Sequence, residues 1–178
     1  DMPIEMGMKS PNKFKTVNSF SGQEMIQVFD GEKGYMVNPM TGSTSPVELT
    51  PDQVKQIDRN NYFNNYMAQY LKEGKLVLEG EESVKGKQAY KIKADLGNGT
   101  NAYMFIDKAS SLLVKTIATV NQQGMDMTVE SYPSDYTETN GVFLPMKTTT
   151  STSGMEIVTT FTKVEVDVPI DDSVFKLK

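Results

Sequence analysis

The densest acidic residues are two adjacent pairs, Glu81-Glu82 and Asp171-Asp172, and paired carboxylates can serve as general acid and base. Neighbouring side chains on a strand point to opposite faces, so neither pair converges on one substrate. Both read as solvated turn charges. Asp167, Asp171 and Asp172 offer oxygen ligands, but they lack the Asx-rich spacing and central glycine of an EF-hand calcium loop. Ser and Thr are plentiful, yet there is no His to act as their base and no Cys to supply a thiolate. Nothing resembles a nucleophile elbow, a Walker loop or a dinucleotide fingerprint. Gly97-Asn98-Gly99-Thr100 falls between two alternating segments and reads as a hairpin turn rather than a phosphate cradle. The expectation is a protein that is not an enzyme, with no cofactor and no metal site.

Methionine is the informative surplus, with 12 residues against no Trp. Its unbranched, polarizable side chain adapts to contents of variable shape. Met6, Met8, Met25, Met104, Met125 and Met127 fall in alternating segments. They would serve either as ordinary core or as a flexible lining for acyl chains, because core and lining share one alternation. Met36 and Ile106, with Phe63 and Met67 from a helical stretch, complete the apolar set expected to face a ligand.

These side chains need strands to hold them, and period two dominates the chain. Met125, Met127 and Val129 alternate with Asp126 and Thr128. Tyr90, Ile92, Ala94 and Leu96 alternate with Lys91, Lys93 and Asp95. Ala102, Met104 and Ile106 alternate with Asn101, Tyr103 and Phe105, apolar or aromatic on both sides, so this strand is expected at the centre. Ser21-Gly22, Asp30-Gly31, Asn98-Gly99, Gln123-Gly124, Asn140-Gly141 and Ser153-Gly154 supply turn chemistry between such runs. One region departs from the pattern. Thr50-Pro51-Asp52-Gln53 has capping-box spacing with Pro at the first helical position. Phe63, Met67, Tyr70 and Leu71 follow at helical spacing, with Gly74 as the stop. No linker is long enough to mark a second domain, so one domain over 1–178 is expected.

Length and composition set the class. A chain of 178 residues with 23% charged and 38% hydrophobic side chains can bury a sizeable core. No stretch approaches the roughly 20 apolar residues that span a bilayer. The net charge of −5 and pI near 4.8 oppose binding to nucleic acid. Asp1 opens directly into an alternating segment, which reads as a mature or trimmed start.

Several segments in order resemble the outer-membrane lipoprotein-sorting proteins, the LolA/LolB-like superfamily, in the form seen in Bacteroidetes-type bacteria. They are Pro11-Asn12-Lys13, Ile26 through Gly31, Gly34-Tyr35-Met36-Val37-Asn38-Pro39, Thr41-Gly42, Ala89 through Ile92, Phe105-Ile106-Asp107, Asn140 through Pro145, and Val166 through Asp172 with Phe175. The resemblance implies an α+β fold, mostly antiparallel β. Its sheet would be a strongly curved, unclosed half-barrel, with a helical insertion at about 50–73 capping the concave face. It further implies a periplasmic or cell-envelope carrier for lipid or lipoprotein acyl chains, anchored at the outer membrane if an N-terminal segment precedes Asp1. Expected partners are a lipid or acylated lipoprotein and an inner- or outer-membrane transfer partner, with the protein itself a monomer. The rival expectation on the same fold is a sensor or scaffold that binds a protein partner. The family's opening helix and first strand have no counterpart here. Its lid-latching arginine does not map either, since the one arginine, Arg59, lies in the helical stretch.

Overall fold

The computed structural model describes residues 2–51, 53–54, 66–97, 100–122 and 125–177. The chain forms two compact units, one of residues 1–66 with 169–178 and one of residues 67–168.

The first unit is a five-stranded antiparallel meander in the order β1 (Ile4–Lys9), β2 (Lys13–Phe20), β3 (Gln23–Phe29), β4 (Gly34–Asn38) and β5 (Ser43–Glu48). Its buried residues gather at one end. Phe14 stacks on Phe29 with ring centroids 6.0 Å apart. The next cross-strand partner, Gly34, leaves room for Leu49, since a Cβ there would stand 2.7 Å from Leu49 Cδ1. A C-terminal strap ends in a 3-10 turn (Asp172–Phe175) that buries Phe175. Lys9 and Lys13, cross-strand neighbours on β1 and β2, both reach Asp172 at 2.7 Å, and Lys9 also donates to the Ile170 carbonyl. The pair Asp171-Asp172 is therefore a strap fastener. Asp171 accepts the Ser173 N–H at the turn's start, and Asp172 bridges two lysines.

The second unit is a seven-stranded antiparallel sheet in the order β12-β11-β10-β9-β8-β7-β6. Its strands are β6 (Leu76–Val84), β7 (Lys87–Gly97), β8 (Thr100–Asp107), β9 (Leu113–Gln122), β10 (Met125–Thr139), β11 (Val142–Thr152) and β12 (Met155–Thr160). Hairpins at Ser21-Gly22, Asn140-Gly141 and Ser153-Gly154 place both turn residues at positive φ, the twist that tight β-hairpins need. Lys85-Gly86 does the same without a turn-forming first residue. Asn98-Gly99 and Gln123-Gly124 lie outside the described residues. Neither sheet closes on itself, because each has two edge strands. The architecture is thus mostly antiparallel β with a helical element and no closed barrel.

The capping box is formed: Gln53 N–H donates to Thr50 Oγ1 and Thr50 N–H to Gln53 Oε1. The next described helix is α1 (Tyr66–Lys72), and Phe63 and most of the stretch at 50–73 lie outside the described residues. Gly74 stops α1 at φ 67°, with Lys75 N–H bonded to the Tyr70 carbonyl and Gly74 N–H to the Leu71 carbonyl. On α1, Leu71 and Met67 stay exposed. No helix among the described residues is long and apolar enough to cross a membrane.

Candidate apolar binding faces

Because side chains alternate along a strand, each row of cross-strand partners belongs to one face of its sheet. In the second sheet one row runs Leu76, Ala94, Ala102, Ala118, Val129, Thr152, Met155. The adjacent row on the same face runs Leu78, Ile92, Met104, Thr116, Ser131, Thr150, Ile157. Both rows cross all seven strands without a charged residue. Three successive alanines lower the floor across β7, β8 and β9, while Ile92 and Met104 rise beside them. Most of this face is only half-buried, and Leu78, Met155 and Ile157 are exposed. The polar groups of the two rows are small hydroxyls. Ser131 and Thr150 pair at 3.2 Å, and Thr152 Oγ1 is buried with no hydrogen-bond partner among the described residues.

The opposite face carries the charges and, with them, the tight packing. Val84, Ala89 and Phe105 form a buried cluster joined by Tyr103, Ile117 and Tyr132. Lysines cover it with their ammonium groups over rings: Lys85 at 4.0 Å from Tyr132, Lys91 at 4.9 Å from Tyr103 and Lys115 at 5.5 Å from Phe105. Their methylene stems can lie on apolar surface while the heads stay wet. Glu130 closes the arrangement, accepting from Tyr132 Oη at 2.6 Å and pairing with Lys115 at 3.0 Å. These bonds, Tyr132's first, hold the Glu130 carboxyl below its ordinary pKa. Burial works against the Lys115 charge, but hydrogen bonds to Glu130 and Tyr132 outweigh it and leave its pKa raised. Near the end of β8, buried Asp107 accepts from Ser110 Oγ at 2.5 Å and Ser110 N–H at 3.0 Å. The Ser110 side-chain bond leads in lowering its pKa. Each carboxylate is held in its charged form, whereas a general acid requires a raised pKa.

The predicted ligand-facing residues fall into place by parity. Met104, Ile106 and Met127 share the face of those two rows, all half-buried, and Glu81 ends the row of Ile106 at the β6 edge. Met125 opens β10 opposite Gln122, and its side chain lies outside the described set. Met6, Met8, Met25 and Met36 lie on one face of the first sheet: Met8 pairs with Phe14, Met6 with Thr16, Met25 with Asn18 and Met36 with Gln27. Met67 sits exposed on α1. Sequence reasoning missed Met2, Phe20 and Met40, which line a hollow of about 170 Å3 on the first sheet with Met25, Asn18, Gln23 and Pro39. Phe20 stood in reach of the same alternation, at even spacing from Phe14. Met40 did not, because it belongs to a 3-10 turn (Pro39–Thr41).

No protein-family model matches the chain, and no curated protein matches it in sequence. Solved structures do match its fold. A domain described as an outer membrane lipoprotein-sorting protein from Vibrio parahaemolyticus superposes with a TM-score of 0.62 at 9% identity, over 98% of this chain and 80% of that one. A LolA superfamily protein from Nitrosomonas europaea superposes with a TM-score of 0.63 at 14% identity, over 99% of this chain and 81% of that one. The chain therefore has a LolA-like fold.

Proposed function

We propose that this protein is a non-catalytic binding protein of the bacterial cell envelope that holds lipid or lipoprotein acyl chains against its apolar sheet faces. The observation that carries this reading is the pair of charge-free rows across the seven-stranded sheet, left half-exposed while the packed cluster lies on the opposite, charged face. A face kept apolar but not closed by its own core offers a surface for an apolar ligand. Each methylene taken from water there is worth about 0.8 kcal/mol, so a long acyl chain gains enough to be carried through water. Met104 and Met127 give the surface adaptable contacts, and the alanine row gives it depth. The solved structures that share the fold include a described lipoprotein-sorting domain, which agrees with the reading.

The test is to express the protein in a bacterial envelope, extract it with organic solvent and identify bound lipid by mass spectrometry against a mock purification. A stoichiometric acyl-chain species is expected. Lipid-free protein that also fails to take up a fluorescent fatty acid would overturn the reading in favour of a scaffold that binds a protein partner.

A further inference from the structure

We propose that the hollow on the first sheet is a site for a soft monovalent cation of the Cu(I)/Ag(I) class, held by the thioethers of Met2, Met25 and Met40. Met2 reaches it from the segment before β1, Met25 from β3 and Met40 from the 3-10 turn. Met25 stands on β3 opposite Asn18, whose other partner is Ile4 on β1. The Ser19 N–H bond to the Pro3 carbonyl extends that ladder at 2.9 Å and fixes the chain just after Met2. Met40 is positioned by its turn: its N–H donates to Asn38 Oδ1 at 3.1 Å, and Gly42 N–H closes on the Pro39 carbonyl at 3.0 Å.

The chemistry of the lining selects the ion. Phe20, Pro39 and the three methionines are joined only by the amides of Asn18 and Gln23. There is no carboxylate, so the charged oxygen ligands on which Ca2+ and Mg2+ sites depend are missing from the lining. No lysine or arginine lines the hollow to repel a cation. Thioether sulfur is a neutral, soft donor, and soft donors favour Cu(I). The hollow is open, with Met2 and Met40 47% and 66% exposed, so a hydrated ion can reach it. This site is independent of the acyl-chain reading, because it depends on sulfur rather than on apolarity.

That distinction makes the test. Leucine matches methionine in volume and apolarity but has no donor atom. Protein with 13C-labelled methionine methyls is titrated with Ag(I) and followed by NMR. The methyl signals of Met2, Met25 and Met40 should shift together and saturate at one equivalent, while exposed Met155 stays unmoved. The Met25→Leu/Met40→Leu double variant, shown to be folded by its amide spectrum, should lose the saturable response. Competition with a Cu(I) chelator in reducing buffer should show the same loss. Shifts spread over Met155 at the same Ag(I) concentration, or a leucine variant that binds as the wild type does, would overturn the proposal.

Discussion

The two sheets separate apolar surface from core in different ways. In the first, the separation runs along the strands: Phe14, Phe29, Gly34 and Leu49 are packed at one end, while Met2, Ile4, Phe20 and Met40 are exposed toward the other. In the second, it runs through the sheet, with a packed cluster on the charged face and two uncharged rows on the other. An antiparallel sheet usually buries its apolar side and solvates its polar side. The second sheet instead packs Phe105 and Tyr132 beneath lysine ammonium groups, which leaves the face of the uncharged rows available. The comparison teaches that a sheet can derive packing from its charged face and leave the other face half-open.

Breaking each core should sharpen that contrast most. Phe105→Ala empties the centre of the cluster in the second sheet and should cost about 3–5 kcal/mol in denaturant unfolding. Phe175→Ala should cost a similar amount in the first unit, and it should also expose the C-terminal strap to limited proteolysis, which Phe105→Ala should not. A smaller loss, about 1–3 kcal/mol, is expected for Gly34→Val, whose side chain would meet Leu49 within van der Waals contact.

The smallest effect concerns the strap's ion pairs. Hydrogen bonds from Lys13 and then Lys9 lower the Asp172 carboxyl from an ordinary 3.8 to about 2. Because the folded pKa is depressed, this stabilisation is fully present above the unfolded value and is lost as pH falls through the folded one. Unfolding midpoints should therefore drop between about pH 4 and pH 2, and Asp172→Asn should remove that part of the slope. An unchanged slope in the variant would show that other carboxylates govern acid unfolding.

Much of this was legible in the chain because alternation fixes faces. Once strands were assigned at Met104, Ile106 and Met127, their shared face followed from the period of two. Thr50 and Gln53 announced a helix start, and Gly74 a helix end, through caps that depend only on local chemistry. Other features depend on distant or non-local partners. Asp172 reads as a solvated turn charge until Lys9, 163 residues away, is placed beside it. Lys91 and Lys115 look like solvent markers, yet their position over rings lets the charged face hold the core. The irregularity in pairing between Leu78 and Gly80 shifts the register of β6, so its period of two does not run unbroken. Lys85-Gly86 turns the chain with a residue that gives no turn signal.

The most direct test puts the same new charge on each side of the seven-stranded sheet. Met104→Asp places it on the face of the uncharged rows, and Thr119→Asp places it on the opposite face, where Thr119 is exposed opposite Thr128. Both variants are checked for folding by circular dichroism, and uptake of a fluorescent fatty acid is then measured. Met104→Asp should lose uptake while Thr119→Asp binds like the wild type. Equal uptake by two folded variants would contradict the assignment of the face of the uncharged rows as the ligand surface.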